Sequence, residues 1–199
     1  MPIKGAKTRT MKMKKYEFTG ETKQVELYLR IATLHRIRAV VEFGSVKVGD
    51  LGGWIEKEEN LSHEGNAWAS GNAKVYGDAK VYGDAGVYGD AWVCGDAEVY
   101  GNAKVYGDAW VYGDAKIFSI SHVLVIGPIG SRNDFTTFYR DSDNVITVKC
   151  GCFLGKIDKF LEKVTATHKN SKHALAYRAA AELAKLQIDL SPEESEKEK

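Results

Sequence analysis

The chain of 199 residues has only 3 cysteines, 3 prolines and no long apolar run. A small, odd cysteine count makes no disulfide framework in a chain of this length, so the fold must rest on a packed core. No run reaches the roughly 18 apolar residues of a membrane-spanning helix. The opening residues also lack the apolar stretch of a secretory signal, so the reading is a reduced, cytoplasmic protein without a membrane partner. An excess of one charge is missing too: 28 basic residues stand against 27 acidic ones, for a net charge of +1. No global field therefore argues for nucleic acid or membrane as an obligatory partner, and a nucleic-acid partner is not expected. The 44% apolar and 28% charged composition is that of an ordinary globular protein.

Against these scarcities stand 20 glycines and 10 tyrosines. From Gly65 to Phe118 the chain reads GNAWAS GNAKVY GDAKVY GDAGVY GDAWVC GDAEVY GNAKVY GDAWVY GDAKIF, nine hexads without a break. Six residues are too few for a helical repeat, and Gly and Val disfavour a helix. A short strand followed by a corner suits them. Period two puts Ala and Val on one face, the inner one, and the variable residue and Tyr on the other. Gly with Asp or Asn makes the corner.

Three hexads around a triangle make a coil of 18 residues, and coils stack at the ~4.8 Å spacing of paired strands. Nine hexads give three coils. The inner columns are then Val75, Val93 and Val111; Val81, Val99 and Ile117; and Ala69, Val87 and Val105. Outside, one face carries Lys80, Glu98 and Lys116 beside Tyr82, Tyr100 and Phe118, and a second carries Trp68, Gly86 and Lys104 beside Ser70, Tyr88 and Tyr106. The third sets Lys74, Trp92 and Trp110 beside Tyr76, Cys94 and Tyr112, an aromatic wall expected to be covered. Lys74, Tyr76, Trp92, Trp110 and Tyr112 are therefore the candidate oligomer or partner face, with a dimer or trimer as the expected assembly. The corner carboxylates, Asp78, Asp96 and Asp114 among them, read as solvated turn residues rather than a calcium site.

Tandem hexads of this kind resemble the left-handed parallel β-helix of the hexapeptide-repeat superfamily, and the left hand is implied by that resemblance. The stretch HRIRAVVEFGSVKVGDLGGWIEKEENLSHEGNAWASGNA is similar to the entry module of the YdcK-type hexapeptide-repeat family. That family is regarded as acyltransferases and occurs also in phages and prophages of Gram-positive bacteria. The likeness covers residues 16–118, with GDLGGWIEKEENLS as its specific part, and from Ile126 onward the chain resembles the phage branch.

The flanks complete a mainly β fold. Residues 1–15, with six basic residues and no acid, read as a basic tail, and Met11 or Met13 offers a second start. Residues 16–64 read as an N-terminal β cap whose glycine turns lay Trp54 and Ile55 over the first coil as a lid. The β-helix proper is 65–118. Residues 119–155 continue as strand and then a β-hairpin with arms Phe135 to Arg140 and Val145 to Cys150. Residues 156–190 form a helical hairpin that plugs the end of the β-helix or covers the β-hairpin, with stripes Ile157, Phe160, Leu161, Val164 and Leu175, Ala179, Leu183, Leu186 facing inward. Asn170 or Ser171 caps its second helix. Residues 191–199 read as a disordered tail.

The resemblance implies an acyltransferase with a histidine base and coenzyme A along the coils. The hexads hold no His, and His63 and His122 only flank them. The densest polar cluster is Ser131, Arg132, Asn133, Asp134, Thr136 and Thr137, with Lys149, Cys150 and Cys152 across the hairpin. Arg forks onto phosphate, and Asn or Asp reads a base edge or ribose, so this cluster is the candidate site for a nucleotide-like anion. Cys150 and Cys152 lack a zinc spacing, and His168 and His173 read as surface or capping residues; no metal or cofactor is expected. The expected function is a non-enzymatic, self-associating phage-type β-helix protein that sequesters a small anionic ligand or blocks a host defence protein. The alternatives are a coenzyme A-dependent acyltransferase and a structural scaffold.

Overall fold

The computed structural model describes residues 13–26 and 30–193. Residues 1–12, which hold most of the expected basic tail, 27–29 and 194–199 lie outside the described residues. The nine hexads form nine two-residue rungs, β4 to β12 after the three strands of the N-terminal cap: Trp68–Ala69, Lys74–Val75, Lys80–Val81, Gly86–Val87, Trp92–Val93, Glu98–Val99, Lys104–Val105, Trp110–Val111 and Lys116–Ile117. Each rung of the first two coils pairs in parallel with the rung 18 residues on, Lys74 with Trp92 and Trp92 with Trp110 on one face. The expected inner columns are all in place, each residue at most 1% exposed. The chain is a parallel β-helix.

At every corner the glycine takes a positive φ. Gly95 shows why nothing larger fits. Its φ is +75°, and a Cβ there would stand 2.8 Å from Gly113 N in the next coil. Stacked corners thus demand both the left-handed conformation and the missing side chain.

The N-terminal cap is more than a lid, because it is itself a partial coil. Strand β3 (Leu51–Ile55) pairs in parallel with β5, Trp54 over Lys74 and Ile55 over Val75, and Leu61 bridges to Val81. This makes one face four rungs deep. Gly52 and Gly53 lie inside β3 rather than in the glycine turns expected of this segment. A Cβ on Gly52 would meet Ile37 Cγ1 at 2.4 Å and Trp68 Cζ2 at 2.6 Å, so the glycine makes room for packing.

Where this partial coil has no backbone to offer, two side chains supply donors. The first-coil carbonyls face the N-terminal side and must be satisfied. Trp54 N donates to Ala73 O, Glu56 N to Val75 O and Ser62 N to Val81 O. Asn60, fully buried, donates through Nδ2 to Gly77 O (3.1 Å) and Ala79 O (2.8 Å). Lys15, 3% exposed, donates through Nζ to Gly65 O (3.3 Å) and Ala67 O (2.7 Å). Burial lowers the Lys15 amine to about 8. Lys14 pairs with Glu58. The end of the expected basic tail is therefore part of the cap, because the first coil leaves carbonyls that a buried ammonium can satisfy.

Strands β1 (Tyr16–Glu26) and β2 (Ile31–Ala39) form a hairpin, and β2 pairs antiparallel with β3. Val25, Ala32 and Leu34 of this hairpin form a buried cluster with Trp54, Tyr76 and Cys94 on the solenoid's outer wall.

The far end is closed by a four-stranded antiparallel meander of β13 (Val123–Ile129), β14 (Asp134–Arg140), β15 (Ile146–Cys150) and β16 (Phe153–Lys156). The expected hairpin is its centre. Strand β14 lies across the last coil: Trp110 N donates to Thr137 Oγ1 (3.0 Å), and the Tyr139 hydroxyl donates to Tyr112 O (2.8 Å). The following turn is pinned by buried Asp141, which accepts from Thr147 Oγ1 and Lys156 Nζ, both at 2.6 Å.

Helices α1 (Ile157–His168) and α2 (Lys172–Gln187) cover the meander rather than the coils. Ser171 caps α2, its Oγ accepting from Ala174 N. The stripe expected on α1 is right. On α2 it is not: Ala174, Tyr177, Ala180, Ala181 and Ala184 are buried, while Leu175, Leu183 and Leu186 are exposed. Small residues let α2 approach closely, and Tyr177 fills the remaining space against Phe160.

Candidate functional site: an aromatic cleft between hairpin and meander

The hexad spacing builds the third outer wall as a vertical stack. Trp92 and Trp110 lie 18 residues apart, so their indoles sit face to face, centroids 4.7 Å apart and planes within 14°. Both ends of the stack carry an ammonium. Lys74 Nζ stands 4.4 Å from the Trp92 centroid, and Lys149 Nζ, from β15, stands 4.8 Å from that of Trp110. Beside it runs the Tyr76, Cys94, Tyr112 column. Burial raises the Cys94 thiol to about 11 and pushes the Tyr76 hydroxyl up as well, so both stay neutral at physiological pH.

The wall is only partly covered, and by its own chain. The N-terminal hairpin leaves Lys74 at 9% and Tyr76 at 5% exposure, so neither is available to a protein partner in this arrangement. Trp110 and Tyr112 remain 42% and 46% exposed. Between hairpin, wall and meander lies a cleft of about 710 Å³. Glu26 and Arg30 bound it on one side, Tyr76, Trp92, Cys94, Trp110 and Tyr112 form its floor, and Lys149, Cys152 and Leu154 close the other side. Arg30 is held by Glu56, Nη2 to Oε2 at 2.9 Å, and that hydrogen bond keeps the Glu56 carboxyl below its usual range. Lys149 has no carboxylate partner among the ion pairs of the described residues and donates to Gly151 O.

The structure thus draws together two groups of residues that sequence reasoning kept apart. Trp92, Trp110 and Tyr112 of the candidate partner face share one cleft with Lys149 and Cys152 of the candidate ligand cluster. The rest of that cluster disperses. Asp134 and Thr137 line a smaller neighbouring hollow of about 150 Å³ with Asp108, Trp110 and Lys149. Ser131, Arg132, Cys150 and Cys152 border a third, of about 220 Å³, under α1 and α2. Thr136 is buried with its hydroxyl donating to Cys150 Sγ (3.3 Å), and Asn133 is an exposed turn residue with φ +51°. Their dispersal follows from strand alternation and the turn at 130–133, which send neighbours in sequence to different surfaces.

Arg30 and Leu154 escaped sequence reasoning. They come from the two flanking modules, and no spacing links either to the hexads. The two histidines weighed as bases sit at opposite ends. Near the first coil, His63 stacks on Tyr16 (4.3 Å) and accepts from Lys15 N through Nδ1. Past the last coil, His122 is 1% exposed and accepts from Phe118 N through Nδ1 (3.3 Å). Burial, and then the Arg140 cation, lower it to about 4. Both imidazoles serve the caps.

Among the described residues no group of three or more His, Cys, Asp or Glu could hold a metal ion, and no helix is long and apolar enough to cross a membrane. No family model matches the chain, and no curated protein matches it.

Proposed function

We propose that the chain is a non-catalytic binding protein whose cleft holds a small organic anion with a flat apolar body, a nucleotide being the ligand class that fits. The observation that carries this reading is the convergence of the Trp92 and Trp110 edges, Tyr112 and the Lys149 ammonium on one 710 Å³ cleft. Both indole faces are already taken by each other and by the two lysines, so the stack offers its edges. Aromatic edges carry partial positive charge and favour the face of a second ring in a T-shaped contact. Lys149 adds a full positive charge beside them, suited to a phosphate. A volume of this size accommodates a drug-sized ligand. The physiological version, sequestration of a nucleotide signal in a phage-infected cell, rests on the likeness of the chain from Ile126 onward to the phage branch.

Calorimetric titration with adenosine monophosphate tests the reading. Binding that weakens at least about tenfold in Lys149→Met, with the melting temperature within a few degrees of the parent, is the expected result. Equal affinity in parent and variant, or no heat for this and other nucleoside phosphates, overturns it.

A further inference from the structure

The outward leucines of α2 call for an occupant. Leu175, Leu183 and Leu186 are 59%, 44% and 85% exposed, and exposed Ala179 lies among them on one helical stripe. Single exposed apolar residues are common, but three leucines on one stripe about 16 Å long form a surface rather than a scatter.

We propose that this stripe is the contact with a second copy of the chain, the two α2 helices packing antiparallel across a two-fold axis. In such a contact residue i meets j and j meets i. A register centred between Ala180 and Ala181 sets Leu175 level with the partner's Leu186 and leaves Ala179 about one residue's rise from the partner's Leu183, so the two leucines pack on each other and Leu183 packs over the small Ala179. The same register brings Arg178 to the partner's Glu182 along the stripe's edge, and symmetry makes that ion pair twice. A parallel pairing would place Ala179 on Ala179, leaving a hollow. Arg178 is held in place by Nη2, which donates to Lys169 O (2.9 Å) and Thr165 Oγ1 (3.2 Å), and a guanidinium has further N–H groups for a carboxylate. An anionic membrane is a poorer partner, since of the three basic residues of α2 Lys185 is paired with Glu182 and Arg178 is bonded to Lys169 O and Thr165 Oγ1. One helix pair gives a small interface, so the dimer is reversible and concentration-dependent.

Sedimentation equilibrium of the full chain over a wide concentration range tests the contact. The expected result is a monomer–dimer equilibrium that weakens at least about tenfold in Leu186→Glu, with circular dichroism and melting temperature unchanged. Arg178→Glu should weaken it too, and the exchange Arg178→Glu with Glu182→Arg should restore it. A wild-type protein that stays monomeric, a dimer indifferent to Leu186→Glu, or an exchange that fails to restore association overturns the proposal. So does a dimer lost in Tyr112→Ala and retained in Leu186→Glu, which would move the contact to the aromatic wall.

Discussion

Lys149 holds its ammonium 4.8 Å from the Trp110 ring centroid, and Arg140 holds its guanidinium at the same distance from that of Phe118. The Trp92–Trp110 stack and the Tyr82–Tyr100–Phe118 stack therefore each end on a cation from the meander. The last ring of a stack has no further coil to pack on, and a cation over its open face replaces the missing neighbour. Closing the β-helix and forming the cleft are two results of the same docking of β14 and β15. Several consequences can be measured.

Replacing Lys15 by Met keeps most of the buried stem and removes the donors to Gly65 O and Ala67 O. Two buried carbonyls then lose their partner, and unfolding in urea should show a loss of about 2–4 kcal/mol. An unchanged midpoint would mean that water satisfies those carbonyls as well as the ammonium does.

Gly95→Ala forces a side chain into a positive-φ corner and against Gly113 N. The left-handed conformation alone costs about 1–2 kcal/mol, and the contact adds to it. Thermal unfolding should fall by several degrees. Asp96→Asn at the adjoining corner should leave stability nearly unchanged, because Asn already occupies the equivalent corners at Asn66, Asn72 and Asn102.

Acid should act on the far cap through His122. The unfolded chain protonates His122 near the ordinary imidazole pKa of about 6.5, whereas the folded chain holds it neutral down to about 4. The unfolded state thus binds more protons in this window, and stability falls as pH drops from 6.5 through 4, by at most about 3 kcal/mol. His122→Gln should flatten that part of the stability profile. At lower pH Asp141 follows. Burial alone would raise its carboxyl, but Lys156, Thr147 and Val145 hold it below its usual range, and protonation breaks those bonds.

Much of this molecule could be read from its residues, and the boundary of what could is physical. In the hexads every position repeats its environment each 18 residues, so inner columns, corners and outer walls follow from spacing alone. The caps break the repeat. Lys15 sits in a run of basic residues that reads as a solvated tail, and only the orphan carbonyls of a three-dimensional coil end reveal its place. Helix α2 is rich in both Ala and Leu, so apolar periodicity alone does not choose its buried face; Tyr177 and the close approach of the alanines decide it. The cleft takes residues from hairpin, coils and meander, which no linear pattern connects.

The central claim is that the cleft retains a small organic anion. Native mass spectrometry of the protein incubated with a small-molecule extract of bacterial cells tests it directly. The account predicts a discrete adduct of nucleotide-like mass on the wild-type chain, lost in a folded Trp110→Ala, Lys149→Met variant. Wild-type protein at its bare mass, or an adduct that the variant retains in full, would contradict it.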